Sequence, residues 1–325
     1  MDLRAQPDAK DIALVSILRQ NSRQSIKTLA RALHISKDTA RYRMKRLEER
    51  GIIKRYMAHL DYSALGFQSY RTYIKLQHTT PEIDAQIYSH IKKITGVRIM
   101  GRFEGAYSFG WVAIARTPYQ YSLALEEFLR KFSKYVQHKE VNLIVEQRRL
   151  ALSYAEKRVT RDTEEVYEQS TARKIDEKDT RILEMLFTNA RIPLTELAVK
   201  TKLTARTVHD RIKRLRHDKL IVSFGLDMDL GLTYYKLMIN LEDTNKLPRV
   251  YSFAHKNHKT IGAVFRTLGG SDCELDIYTS TFQEFLAVLD ALKEELKTDL
   301  KNYSYHTITQ LFIPQTLDLH SDSPL

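Results

Sequence analysis

Residues 11–53 recur at 179–221, and the best-preserved stretch of the repeat is basic: LARALHISKDTARYRMKRLEERGII is answered by LAVKTKLTARTVHDRIKRLRHDKLI. At an offset of 168 residues the identical pairs include Leu29/Leu197, Ala30/Ala198, Thr39/Thr207, Arg43/Arg211, Lys45/Lys213, Arg46/Arg214 and Leu47/Leu215. A chain built this way is a duplication, so its fold must be read as two related modules. The net charge is concentrated in the repeat. Residues 1–60 hold 14 Lys and Arg against 6 Asp and Glu, and residues 176–224 hold 11 against 7, which together matches the whole-chain excess of +12. Residues 61–150 stand at +5 and residues 225–325 at −5. Basic charge gathered into two compact segments favours a polyanionic partner.

In the first copy, Ile12, Leu14, Val15 and Leu18 form one helical stripe, and a second short helix is predicted over residues 26–33 with Leu29, Ala30 and Leu33 inward. Ser36 stands where an N-cap belongs, and Ala40, Met44 and Leu47 recur at helical spacing behind it. The free face of that third helix holds Lys37, Arg41, Tyr42 and Lys45, flanked by Arg43 and Arg46; Gly51 ends it, and residues 52–60 read as a basic strand or wing. In the second copy Thr204 is the cap, Val208, Ile212 and Leu215 form the stripe, and Arg206, His209, Arg211, Lys213 and Arg214 lie outside. Buried positions and the basic tail match, but the tip does not: Lys37, Asp38, Arg41 and Tyr42 become Ala205, Arg206, His209 and Asp210. In a winged helix-turn-helix the tip meets base edges and flanking cations meet phosphates, so the two readers are expected to prefer different bases. Arg43 and Arg211 also lie beside the buried stripe, where an intradomain salt bridge competes with a phosphate contact.

The segments that follow each reader also correspond. Leu65-Gly66 matches Leu230-Gly231 at an offset of 165, and each opens an alternating strand: Tyr70, Thr72, Ile74 and Leu76 share a face in one, and Tyr235, Leu237, Ile239 and Leu241 in the other. Helices are predicted from Pro81 and Pro248, strand pairs over 97–104/108–116 and 261–268/273–279, then amphipathic helices carrying Phe128 and Phe285, and final strands over 136–150 and 300–312. The expected fold class is α+β: two tandem copies of a winged helix-turn-helix followed by a ferredoxin-like βαββαβ domain. The expected boundaries are 1–62 and 176–228 for the readers, 63–150 and 229–316 for the βαββαβ domains, 151–175 for a connector and 317–325 for a tail. With no Gly or Pro and with interspersed charges, the connector reads as a solvated helix.

This layout, with its reader sequence LARALHISKDTARYRMKRLEERGIIK, resembles the Lrp/AsnC regulators of archaea and bacteria over nearly the whole chain, twice. The resemblance implies double-stranded DNA as partner, assembly through the βαββαβ domains as a homo-oligomer or an intrachain pseudo-dimer, and response to an amino acid or other small effector. DNA-binding candidates are Ser36, Lys37, Arg41, Tyr42, Arg43, Lys45 and Arg46, with Thr204, Arg206, His209, Arg211, Lys213 and Arg214. The two third helices are expected in successive major grooves roughly 34 Å apart. Candidate effector residues are Gly105, Tyr107, Gly270 and Asp272. The sequence departs from the family here: Ser108 stands where the family's Gly-x-Tyr-Asp pattern has an acid, and Asp272 is shifted by one. Plain hairpin turns explain these glycines equally well.

No cofactor or metal is expected. Cys273 is the only cysteine, so no intrachain disulfide or cysteine-rich zinc site can form, and a reducing cytoplasm, at the nucleoid, is the natural location. No export signal or membrane span is expected. Siroheme decarboxylases share this architecture, but the chain has no His-x-Tyr-Asn run of the kind associated with them, and no phosphate loop or catalytic-triad spacing; His255 and His258 lie on a polar helix end. The chain is therefore read as no enzyme. The competing readings are a sequence-independent nucleoid protein, a siroheme-decarboxylase-like enzyme, and a scaffold whose helix-turn-helices have become protein contacts.

Overall fold

The computed structural model describes residues 7–150, 165–168 and 170–319. It is a mixed fold of helices and strands divided into two compact units. The first takes residues up to 61 and, after a return of the chain, residues 173–231; the second takes residues 62–150, 165–172 and 232 onward.

In the first unit the helices α1 (Ala9–Gln20), α2 (Ile26–Leu33) and α3 (Lys37–Glu49) lead to strand β1 (Ile53–Leu60). Helices α6 (Glu177–Thr188), α7 (Leu194–Thr201) and α8 (Ala205–His217) lead in the same order to β7 (Ile221–Met228). The turn before each third helix passes through a left-handed residue, His34 or Lys202, and the next helix is then capped by Ser36 or Thr204, whose hydroxyl accepts the N–H of Thr39 or Thr207. The buried stripes are Ala40, Met44 and Leu47 in α3, and Val208, Ile212 and Leu215 in α8.

The strand after each reader is not a free wing. β1 pairs antiparallel with β7, Tyr56 opposite Leu226 and Ala58 opposite Phe224. Leu226 joins the core of the first reader with Leu14, Leu18 and Leu47. Arg55, expected as part of a basic wing, is buried with its guanidinium over the Phe187 ring. The apolar residues that alternate with the cations in 52–60 have their own packing to satisfy, and a β1–β7 ribbon buries them where a solvated hairpin would not.

The second unit holds two sets of elements. The first is β2 (Gln68–Leu76), α4 (Pro81–Ile91), β3 (Val97–Gly105), β4 (Phe109–Ala115), α5 (Pro118–Phe132) and β5 (Val136–Arg149). The second is β8 (Thr233–Leu241), α9 (Leu247–Lys256), β9 (Ile261–Leu268), β10 (Cys273–Thr279), α10 (Phe282–Leu296) and β11 (Leu300–Phe312). Strand order is β5-β2-β4-β3 in one and β11-β8-β10-β9 in the other. The sets then join: β3 pairs with β11 and β5 with β9, closing eight strands into a ring that the sequence reading did not include. Each sheet packs its helices over one face, around Phe128 and Trp111 in the first and Phe285 and Leu275 in the second.

The expectation of a helical connector fails over residues 165–168, which form strand β6 (Glu165–Glu168) against β5; residues 151–164 lie outside the described residues. β5 outruns β2, whose last partner on it is Ile144, so residues 146–149 would present an open edge that β6 covers. Glu165 accepts from Arg149 (3.3 Å) and from the Tyr167 hydroxyl (2.9 Å).

Gly105 sits at φ +121° where β3 meets β11, and a Cβ there would stand 3.0 Å from the Tyr305 carbonyl oxygen and 3.2 Å from the His306 Cα. Gly105→Ala is therefore expected to lower stability by about 1–3 kcal/mol, since both the left-handed φ and the approaching backbone oppose it. Denaturant unfolding checks this; a wild-type midpoint would remove the close approach from the account.

Candidate nucleic-acid interface and barrel interior

The candidate DNA-facing residues fall into two groups. Ser36, Lys37, Arg41, Tyr42 and Lys45 on α3, and Thr204, Arg206, His209, Lys213 and Arg214 on α8, are exposed. Tyr42 leaves 63% of its surface open, a large aromatic side chain with the Arg46 guanidinium 5.9 Å over its ring. Arg41 holds Asp38 at 2.8 Å in a solvated pair.

Arg43 and Arg46 are engaged elsewhere. Asp8 caps α1 and forms a reciprocal box with Asp11. Arg43 donates to both Asp8 oxygens (2.9 and 2.7 Å) and to Asp11 Oδ1 (2.7 Å), while Arg46 donates to Asp11 Oδ2 at 2.5 Å. The second reader has the same clamp: Asp176 and Asp179 box α6, Arg211 donates to Asp176 (2.8 and 2.7 Å) and to Asp179 (2.8 Å), and Arg214 also reaches Asp179. The hydrogen bond from Arg43 lowers the Asp8 carboxyl below its usual range, and Asp8 and Asp11 raise the Arg43 guanidinium. Asp11 and Asp179 are buried, so these arginines fix the third helix to the first. For Arg43 and Arg211 the salt bridge that competed with phosphate in the sequence is the contact the structure makes.

Sequence reasoning missed a second set of repeated contacts. Arg23 donates to the carbonyls of Ala190 and Ile192, and Arg191 donates to those of Ser22 and Gln24. Arg23 stacks over Phe224, and Arg191 over Tyr56. The available signal was the offset itself, since 23/191 and 56/224 are both 168 apart.

In the second unit the effector candidates are engaged. Tyr107 is buried and its hydroxyl donates to Glu140 (2.7 Å); Gly105 O accepts from Lys75 Nζ (2.8 Å). Gly270 N–H donates to Asn142 (2.7 Å), and the Asp272 carboxylate accepts the Leu241 N–H (2.8 Å). These turns join strands, and their polar groups already have protein partners.

The ring of strands encloses charged residues that the sequence reading also missed. Arg71, Lys236, Glu274, Asp276, Asn142 and His306 are all buried. Arg71 is ion-paired with Glu274, and Lys236 with Asp276; Tyr73 donates to Glu274 at 3.0 Å. Both cations lie over the Phe265 ring at 4.2 Å. Burial and the nearby Arg71 bring the Lys236 ammonium down to about 7, against the pull of Asp276. His306 stacks on Phe103 at 4.3 Å, and neither ring nitrogen has a hydrogen-bond partner among the described residues.

Burial, with Lys236 and Arg71, depresses the His306 imidazole to about 3 from an ordinary 6.5. The unfolded chain thus takes up a proton between these values that the folded chain refuses, so stability is lost as pH falls through this window. From pH 7.5 to 5 the loss due to His306 is expected to be about 2 kcal/mol. His306→Phe should remove that part of the pH dependence; equal slopes for variant and wild type would refute the assignment.

Among the described residues no metal-binding cluster occurs and no helix is long and apolar enough to cross a membrane. Residues 7–54 match the profile of a winged helix-turn-helix DNA-binding domain and residues 175–216 that of the AsnC-type helix-turn-helix domain. The HTH-type transcriptional regulator FL11 of Pyrococcus abyssi is 30% identical over 121 residues, covering 36% of this chain and 80% of its own length. The chain belongs to the Lrp/AsnC family of transcriptional regulators. The HTH-type transcriptional regulator LysM of Sulfurisphaera tokodaii is also similar, 32% identical over 104 residues (32% of this chain, 71% of the relative). In this Lrp/AsnC protein, a DNA-binding transcriptional regulator, the readers are thus α1–α3 and α6–α8. The siroheme decarboxylase NirDL has the same fold across 97% of this chain and 95% of its own, with a TM-score of 0.62 at 11% identity, which carries the architecture and no activity.

Proposed function

We propose that one chain is a self-contained asymmetric reader: two unlike recognition helices, α3 and α8, address two unlike half-sites of double-stranded DNA in a sequence-specific manner. The observation that carries this reading is the reciprocal set of contacts in the first unit, where Arg23 and Arg191 each clasp the other reader's loop and β1 pairs with β7. Such reciprocity is the mark of a twofold interface, here supplied by one chain. It supports a tandem duplication, as do the twin clamps of Arg43 and Arg211. The strand orders β5-β2-β4-β3 and β11-β8-β10-β9 support reading each half of the second unit as a ferredoxin-like βαββαβ domain.

On this reading Lys37, Arg41 and Tyr42 contact bases at one half-site, and Arg206 and His209 at the other; Lys45 and Lys213 neutralise phosphates. Arg46 and Arg214 serve the clamp first, and Arg214, with half its surface open, also faces the backbone. The engaged turns at Gly105 and Gly270 give no support to an amino-acid pocket there. The protein acts at the nucleoid, in the cytoplasm, and not as an enzyme. Gel-shift titrations against a selected duplex and a random duplex of equal length test the reading. A preference of at least about 10³-fold for the selected duplex is expected; equal affinity would make it a protein that coats DNA.

A further inference from the structure

Each half of the second unit places one cation inside the ring at equivalent positions, Arg71 on β2 and Lys236 on β8, 165 residues apart like Gly66 and Gly231. Their surroundings differ. Asp276 stands directly opposite Lys236 on β10, and Glu274 opposite Met238. On β4 the corresponding places, opposite Arg71 and Tyr73, are taken by Val112 and Gly110. Both buried carboxylates of the network therefore come from β10; Glu140 on β5, which accepts from Tyr107 and Asn142, is only part-buried. Glu274 is met by three groups of the first half: Arg71, the Tyr73 hydroxyl (3.0 Å) and Asn142 Nδ2 (3.3 Å). Among the described residues its own half offers Lys236, at 3.7 Å.

We infer that this interior network selects the partner of each sheet, so that the first half fits a second half and rejects another first half. The inference rests on the reading of the second unit as two related halves. Two first halves would bury two Arg71 side chains with no carboxylate on either β4. Two second halves would bury two lysines against four carboxylates. Counting the buried charges, Arg71 and Lys236 against Glu274 and Asp276, only the unlike pair is neutral, and a buried charge left without a partner is far more costly than the pair itself. A single buried polar group fixes register and partner in coiled coils by the same logic. The network thus fixes which half faces which, and with it the unlike character of the assembly.

The test uses full-length chains and reads association, so that its failure is separate from any failure of DNA binding. Arg71→Glu puts a net excess of two negative charges inside the ring; Glu274→Arg puts in two positive. Each variant alone is expected to unfold about 10 °C below wild type or to fail to fold. The double variant Arg71→Glu/Glu274→Arg should regain most of that loss. Co-refolding the two single variants should give a 1:1 complex, seen by native mass spectrometry, because each first half finds its complement only on the other chain. Single variants as stable as wild type would overturn the inference, as would a double variant no better than the singles. A rescued double variant without the 1:1 complex would also overturn it, since the pair would then stabilise without selecting.

Discussion

Asp11→Ala is expected to lower the stability of the reader unit by about 3 kcal/mol. Asp11 is fully buried, and its carboxylate receives both Arg43 and Arg46 while closing the box that starts α1. Among the described residues, removing it leaves the two guanidinium groups with the half-exposed Asp8 as their remaining carboxylate. Asp179→Ala in the second reader should behave alike, because Arg211 and Arg214 depend on it in the same way. The exposed variants Lys37→Ala and Arg41→Ala serve as controls and should lie within about 0.5 kcal/mol of wild type. Chemical denaturation distinguishes the outcomes: a small effect of Asp11→Ala would return Arg43 and Arg46 to the group available for phosphate.

The second large effect concerns recognition. Arg41→Ala should weaken binding by about 10–100-fold on a duplex that retains the first reader's half-site, and hardly at all once that half-site has been scrambled. Arg206→Ala should show the reverse dependence. Lys45→Ala and Lys213→Ala should weaken every duplex to a similar extent and flatten the dependence on salt. If Arg41→Ala and Arg206→Ala had the same pattern on both half-sites, the two tips would not be reading different sequences.

Much of the fold was legible because local chemistry and long-range repetition agreed. Ser36 and Thr204 cap their helices as the sequence implies, and the stripes Ala40-Met44-Leu47 and Val208-Ile212-Leu215 are buried. Strands and helices of the second unit fall where alternation and proline placed them. What was not legible is how the faces are used. Arg71 and Lys236 alternate with Tyr70, Thr72 and Leu237, a pattern that fits a sheet with one face in water. A closed ring has a second buried face, and when that face is polar its residues look the same in sequence as solvated ones. The burial of Arg55 was not legible for a related reason: nothing in a basic strand shows that β7 will pair with it or that Phe187 of α6 will lie against the guanidinium. The cations of α3 likewise do not reveal from spacing alone that Arg43 turns toward Asp8 and Asp11 while Lys45 stays free of them.

The most direct measurement is selection of bound duplexes from a random pool by the full-length protein. An asymmetric reader predicts an imperfect palindrome whose half-sites differ at the positions met by Lys37, Arg41 and Tyr42 against Arg206 and His209. A perfectly symmetric preferred site would contradict it, since two unlike helices held in one chain would then have to read the same bases.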